Sequence, residues 1–414
     1  MKKVLVLTAI SAAATQAFAV YAPIPEVEQL NDFTVTISAN VGYDSNYNSL
    51  PDKTIGGVDY KAEGSAFVSI SPSIKYNKLF RNEDTHLKVW LTPEGFNYFS
   101  RDPERFWNIN TGAELTHKFS DELSLKVAEI FSYTESPQTN ETGVGFAQNE
   151  QNRWENQIGG DLAWDVDEES SLTFKYRNNL VRYTEDVLAD QYDRAENMFG
   201  LEYGYKYSPK TTLLGEYRLR MVDYDEAGDV KDSESHFFLV GADKRLTEAW
   251  TVGGRVGAEV RNQNYMGLTG PTDETSTTPY VELASTYVYD SSKGRDSLIR
   301  GGVSYRVDES PDFSSYENED MFTVFGNLQH ALRSDLVGSA SVSYTYGTLN
   351  GIGAIDDANE SLVRFGLALT WDLNDRWAAI GAYDLDYVRS DIDIRDEVRH
   401  RFTLGMRYTF GFGQ

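Results

Sequence analysis

The chain has 414 residues, with 64 acidic against 38 basic side chains, a net charge of −26 and no cysteine. Such a balance excludes a nucleic-acid partner, which needs a basic surface. The missing cysteine excludes a thiol nucleophile, a thiolate metal site and disulfide bracing. No window holds the 18 or more consecutive apolar residues of a membrane helix, whereas 26 Tyr, 21 Phe and 33 Gly suit strands and membrane interfaces. A mean hydropathy of −0.47 is compatible with strands that turn only alternate residues to lipid.

Residues 1–19 read as a signal peptide. Lys2 and Lys3 form its positive start, 4–14 its apolar core and Ala17-Phe18-Ala19 a small-x-small cleavage site, with cleavage after Ala22 as the alternative. Removal takes the net charge to about −28 and implies secretion through the inner membrane. Residues 20–31 form a short periplasmic segment, too small for a plug or a peptidoglycan-binding module. Residues 32–414 then repeat one unit, a short acidic turn between two segments of alternating apolar and polar residues, which is the period of a β-strand with two unlike faces.

The first strand, about 32–45, aligns Phe33, Val35, Ile37, Ala39, Val41 and Tyr43 on one face. Further strands are predicted at 64–76, 85–98, 107–119, 122–135, 151–164, 171–184, 194–207, 211–223, 235–245, 249–263, 277–289, 297–308, 320–331, 336–348, 361–372 and 376–389. The last puts Phe402, Leu404, Met406, Tyr408 and Phe410 outward. Glu129 falls on the apolar face of its strand, so a bulge or register slip is expected there. Merging weak segments would give 16 strands in place of about 18.

Connections alternate in length. Tight ones such as Ser120-Asp121 and 208–210 alternate with longer, Asp-, Asn-, Gly- and Pro-rich ones at 47–64, 136–150, 225–232, 264–275, 310–318 and 350–360. Tyr203, Tyr205, Tyr207, Tyr287, Tyr289, Trp164, Trp250, Trp371 and Trp377 flank the short turns, where aromatic girdles meet lipid headgroups. Together these features predict an all-β fold: a transmembrane antiparallel up-and-down β-barrel of the Gram-negative outer membrane, with both termini in the periplasm.

Within this frame the run Val41-Gly42-Tyr43-Asp44-Ser45-Asn46 resembles the opening of the β-barrel porin 2 family of bacterial outer-membrane β-barrel proteins. The segments 335–344 (DLVGSASVSY) and 375–383 (DRWAAIGAY) are similar to that family's turn-plus-strand unit. The resemblance implies an outer-membrane barrel, and association of some related barrels with polysaccharide export makes an exopolysaccharide conduit or accessory barrel the alternative function. Arg407-Tyr408-Thr409-Phe410 would be the terminal aromatic signal for the barrel-assembly machinery, but 411–414 follow it and Phe412 is the alternative aromatic.

The opposite parity holds most strand charges: Lys175, Arg177, Glu216, Arg218, Arg220, Arg255, Glu259, Arg261, Arg300, Arg306, Arg364, Asp384, Asp386, Arg399, Arg401 and Arg407. An Arg or Lys facing lipid at mid-depth costs roughly 2–4 kcal/mol, so these sixteen are the candidate pore-lining residues. They would form either an arginine-lined eyelet opposed by carboxylates or a set of ion pairs filling the lumen. The loop 136–150 is the candidate for narrowing the pore.

Acidic loops at 356–357, 391–396 and 223–232 offer carboxylate oxygens but no EF-hand spacing, so no metal site is expected. Solvated loops, bridged through divalent cations to anionic lipopolysaccharide, fit them better. The five histidines, His86, His117, His236, His330 and His400, form no HExxH pair, and no Gly-x-Ser-x-Gly elbow occurs. An enzyme is not expected, nor is a cofactor. The expected partners are lipid, lipopolysaccharide and a hydrophilic solute or polysaccharide. The expected activity is passive, porin-like diffusion of small hydrophilic or oligomeric solutes, with a closed structural or adhesive barrel as a further alternative.

Overall fold

In the computed structural model of the protein, residues 32–411 are described apart from 81–83, 100–104, 136–151, 226–231, 268–269, 291, 293–295, 311–315 and 353–354. The predicted signal peptide, the 20–31 segment, the 136–150 loop and Phe412 lie outside the described residues.

Eighteen strands form one closed sheet. They are β1 (Asp32–Asp44), β4 (Ser65–Leu79), β5 (Thr85–Tyr98), β6 (Arg105–Lys118), β7 (Leu123–Thr134), β8 (Arg153–Asp165), β9 (Ser170–Tyr183), β10 (Arg194–Ser208) and β11 (Thr211–Tyr224), followed by β12 (Ser233–Arg245), β13 (Trp250–Gly267), β14 (Gly270–Asp290), β15 (Ser297–Glu309), β16 (Tyr316–Arg333), β17 (Leu336–Gly351), β18 (Ala358–Asp372), β19 (Trp377–Ser390) and β20 (Glu397–Gly411). A two-stranded hairpin, β2 (Lys53–Ile55) and β3 (Val58–Tyr60), stands in the first long connection. The count is eighteen, not the alternative sixteen, because each predicted segment keeps its own antiparallel partner on both sides. Closure comes from β1, which pairs with β4 on one side and β20 on the other.

Alternation decides which residues face which way. Val41, Phe238, Val240 and Leu404 stand 56–68% exposed on the outer surface, while their sequence neighbours point to the opposite face. That opposite face is concave, since side chains from strands that are not neighbours meet there: Arg255 of β13 bonds Glu202 of β10, and Arg218 of β11 bonds the Tyr280 hydroxyl of β14. The predicted girdle is in place, with Trp377 edge-on to Tyr408 and Trp250 tilted against Tyr287.

Short turns gather at one rim and long connections at the other. Both sheet ends lie at the short-turn rim, where Thr34 pairs with Gly411. Phe410 pairs with Val35 and faces outward, which settles the register of the last strand.

Two expectations need correction. The stretch 264–275 is not a loop, since β13 and β14 pair as far as Gly267↔Gly270 and form a ribbon beyond the rim. Nor does a bulge turn Glu129 inward. The pairing of β7 runs unbroken with both β6 and β8, because moving Glu129 one step would also turn Leu125, Val127, Phe131 and Tyr133 to the inner face. Apart from these corrections, β14 and β15 part above Val281↔Tyr305. Pro279 lies at this point and has no N–H to continue the ladder, so the ends of β15 and β16 lean into the barrel while the β13–β14 ribbon stands outside. A short helix (Asp186–Tyr192) and a single 3₁₀ turn (Asp393–Arg395), neither predicted, occupy two of the long connections.

The seam between β1 and its neighbours has no spare room at Gly42, where a Cβ would run into the Phe402 carbonyl and the Phe67 ring. Gly42→Ala should therefore lower stability by about 1–3 kcal/mol, the usual range for overpacking. Gly215→Ala, with nothing within 4 Å of its new methyl, should change it far less. Urea titration of the micelle-bound protein, read by the electrophoretic mobility of folded and unfolded forms, measures both.

Candidate functional site

The inner wall carries all sixteen predicted charges. Pairing register puts each on the concave face, and the ion pairs sort them into three clusters and a few outliers.

The first cluster joins β9 to β14. Glu216 accepts from Lys175 at 2.9 Å, from both the Nε and an Nη of Arg218 at 2.9 Å, and lies 3.0 Å from Arg255 Nε. Glu202 takes Lys175 at 3.0 Å and Arg255 at 2.6 Å. Arg218 also donates to the Tyr280 hydroxyl at 3.1 Å, with its guanidinium over that ring, and Tyr280 donates to Glu282. Beside them Arg177 holds Asp161 with two hydrogen bonds. Arg218 and Glu216 are nearly sealed from solvent. Two charges at this depth lose hydration worth several kcal/mol each, which only mutual attraction and full hydrogen bonding offset. The forked geometry of arginine meets that demand.

The second cluster lies nearer the long-loop rim. Arg220 pairs with Glu196 at 2.9 Å, Arg261 with Glu309, and Arg306 with Asp308 at 2.7 Å. Glu309 also accepts from the hydroxyls of Tyr224 and Ser233. Glu309 sits at the end of β15, so these bonds fix the inward lean of that strand against β11, β12 and β13. Glu259 is buried in this group, opposite Phe237 and Thr278.

The third cluster bridges the barrel's closing seam. Arg399 of β20 clasps Asp44 of β1, with its Nε 2.9 Å from Asp44 Oδ1 and an Nη group bonded to Oδ2; Arg401 lies 3.5 Å from the same carboxylate, and Tyr98 donates to it. Arg364 faces Asp386 at 3.5 Å, and Asp384 is the cross-strand neighbour of Arg401. Two predicted residues stay apart from the clusters. Arg300 makes no ion pair among the described residues, and Arg407 lies 3.8 Å from Asp372, near the short-turn rim.

The parity argument missed the acidic hubs Glu202, Glu196, Glu309 and Asp44. Glu202 and Glu196 share the inward face of β10 with Arg194, Lys206, Met198, Gly200 and Gly204, a charged stripe that was legible in the strand. Asp44 shares the inward parity of Thr34, Thr36, Ser38 and Asn40, and that signal was legible. Glu309 fell outside its predicted strand.

The two halves of the wall differ. Towards the long-loop rim the inner face is packed, and Leu349, Glu319 and Val222 have no exposed surface. Connections turn inward to cover it. Tyr47 stacks on Tyr98 at 5.4 Å in a cluster with Phe67 and Phe106. Arg395 reaches Glu360 at 2.8 Å, and Ile392 packs on Tyr316, Leu349 and Ala358. These segments, from 45–64 and 391–396, narrow the long-loop end of the barrel among the described residues. Lys53 ties them together through Asp393 at 2.6 Å and Asp396 at 2.8 Å. Towards the short-turn rim the wall opens into a vestibule of about 820 Å³, lined in part by Lys206, Thr212, Asp243, Arg245 and Arg300.

The acidic connections gather no metal ligands: among the described residues no three His, Asp or Glu side chains come together to hold an ion. Three imidazoles are tied to tyrosine hydroxyls on the outer face, His236 to Tyr217, His330 to Tyr289 and His400 to Tyr383, at 2.7–2.9 Å.

No protein-family model matches the chain, and no curated protein matches it. Among solved structures it is similar to the outer membrane protein opdK from Pseudomonas aeruginosa, at 11% identity and TM-score 0.45, covering 92% of this chain and 99% of that one. It is also similar to OccAB3 of Acinetobacter baumannii, at 12% identity and TM-score 0.41, with 92% and 99% covered. The siderophore receptor PirA from Pseudomonas aeruginosa aligns at 9% identity and TM-score 0.42, with 92% and 80% covered. Likenesses of this size transfer neither activity nor substrate to this chain.

Removing one partner of the first cluster should expose the desolvation cost of the others. Glu216→Gln should cost roughly 3–5 kcal/mol, the range for breaking a buried pair, in the same urea titration. The Lys53 contact has a pH signature. Asp393 and Asp396 hold its ammonium above the ordinary lysine value by hydrogen bonding, so docking is fully favoured below the free-lysine pKa and is lost as pH rises through the raised one. A fluorophore on Asp59→Cys should gain mobility only above roughly pH 10.4, and should already be mobile at neutral pH in Lys53→Gln.

Proposed function

We propose that this chain is an outer-membrane channel for passive diffusion of small hydrophilic solutes, with the vestibule facing the periplasm and the long connections facing outward. One observation carries the reading: an eighteen-stranded closed barrel whose outer face is apolar and whose inner face is charged. Barrels of 16–18 strands leave an aqueous interior unless something fills it, and charged rings within such an interior select ions and solutes by sign and size. Solute would enter past the inward-turned connections, pass between the clustered wall of β9–β14 and the seam cluster of β1 and β18–β20, and leave through the vestibule. Selection would operate in the packed half, where fixed guanidinium and carboxylate groups line whatever path is open.

Burial of that same half favours a second reading, a barrel closed at rest that opens when the 45–64 and 391–396 connections lift. Planar-bilayer recording separates the two. Steady ohmic steps support the open channel, and steps seen only in Lys53→Gln support the closed-at-rest form. Silence in both would leave a structural barrel. Arg300 lines the vestibule and makes no ion pair among the described residues, so Arg300→Glu should shift the reversal potential in a salt gradient towards cation preference without altering the fold.

A further inference from the structure

Glu129 is a carboxylate on the wrong face. It points outward from the middle of β7, with Leu125 and Val127 on its short-turn side and Phe131 and Tyr133 on its long-loop side. Phe131 stacks on Trp154 at 6.1 Å and marks the aromatic girdle there. Glu129 therefore lies beneath the girdle, in the depth range where the other outward side chains of β7 are apolar. Its one described polar contact is weak, from Asn156 Nδ2 at 3.4 Å. The Asn156 Oδ1 is buried and has no hydrogen-bond partner among the described residues.

The polarity continues sideways. On β9 and β10 the outward side chains Asn178 and Asn197 join at 3.0 Å, and the Tyr176 hydroxyl donates to Asn197 at 2.9 Å. Next to Glu129 the outer surface is low, because its β6 partner is Ala113, and Gly160 is the outward residue two steps beyond Ile158 on β8. A Cβ on Gly160 would have no atom nearer than 3.9 Å. Small side chains of this kind let another protein surface approach closely within a membrane.

We propose that the outward face of β7–β10 is where a second copy of this chain docks within the membrane. Ionisable groups facing hydrocarbon are costly, and they mark places where a polar partner is supplied. Acyl chains offer no donor. A second copy of this patch does, and symmetry makes the match. In a two-fold contact about an axis along the membrane normal, residues on one side of the axis meet those on the other. With the axis near the β8–β9 seam, β7 of one copy faces β10 of the other. Glu129 and the open Asn156 oxygen, both acceptors, then face the side that carries the Asn197 amide, whose Oδ1 accepts from Asn178 and Tyr176 and whose Nδ2 is the donor, whereas an axis through β7 would set carboxylate against carboxylate. This interface rests on the membrane-barrel reading above but not on whether the lumen conducts.

Because the native chain has no cysteine, single cysteines report the contact directly. Ile158→Cys lies by the expected axis, and Val342→Cys lies on the outward face of β17, far round the barrel. Each full-length variant would be folded into phosphatidylcholine liposomes, floated on a density gradient and oxidised. The expected result is a band at twice the chain mass for Ile158→Cys, at least tenfold stronger than for Val342→Cys. Adding Glu129→Leu and Asn156→Leu to Ile158→Cys should lower that band at least tenfold; if that triple variant fails to fold, the two single cysteines still decide. Floating protein with no Ile158→Cys dimer, or with equal bands from both positions, overturns the interface alone. An undiminished band in a folded triple variant overturns the role of the polar patch. Protein that does not float overturns the membrane reading and this interface with it.

Discussion

Eleven residue pairs, from Thr34↔Gly411 to Asp44↔Arg401, join the first barrel strand to the last, and every other property of the molecule presupposes them. Without that seam the sheet would have two edges, each presenting a row of unpaired N–H and C=O groups, which a hydrocarbon environment does not tolerate. With it, hydrogen bonding is satisfied around the circumference, and the sheet no longer needs a hydrophobic core. The side chains are then free to reverse the usual arrangement, apolar outward and charged inward. Asp44 stands at this seam on the inner side, and its bonds to Arg399 tie the closure of the backbone to the chemistry of the wall.

That reversal explains the character of the inner wall. A soluble domain of this size would bury leucine and valine. Here Glu216, Arg218, Glu196, Arg220 and Glu309 are buried instead, each held by at least one opposite charge or hydroxyl. Apolar residues do occur inside, but as small islands such as Met321, Leu362 and Val388. The packed half of the barrel is thus assembled from directional contacts, which fix side chains in place without relying on exclusion of water from a large apolar volume.

Most of the fold was legible because a strand with two unlike faces leaves a period-two record, and all eighteen predicted segments correspond to strands. Lys175, Arg218 and Arg255 could be placed on the inner wall for the same reason. What the period cannot record is contact across the lumen. Nothing local links Arg261 to Glu309, which barrel curvature brings together, or Asp44 to Arg399 over 355 positions, which meet only because the first and last strands pair. Composition also misled at 264–275, where Gly, Pro, Thr and Asp suggested a loop but the two strands continue to pair above the rim. Glu129 was read as a fault in register because a lipid-facing carboxylate looked too costly, although the apolar residues on both sides of it fix the register more strongly.

The parting of β14 from β15 at Pro279 leaves a different kind of surface from any other in the barrel. Below that point each strand is flanked on both sides. Above it, β14 is paired in the ladder with β13 alone among the described residues, so Asp273 to Thr278 form a strand edge with no neighbouring strand on its other side. A free edge of this sort can template the addition of another extended chain. The residues along it, Thr, Asp, Glu and Ser rather than Val or Ile, are those that make such addition unrewarding, since a docking strand would find charge and hydroxyl in place of apolar contact. The ribbon can therefore stand clear of the membrane as an open edge without inviting aggregation.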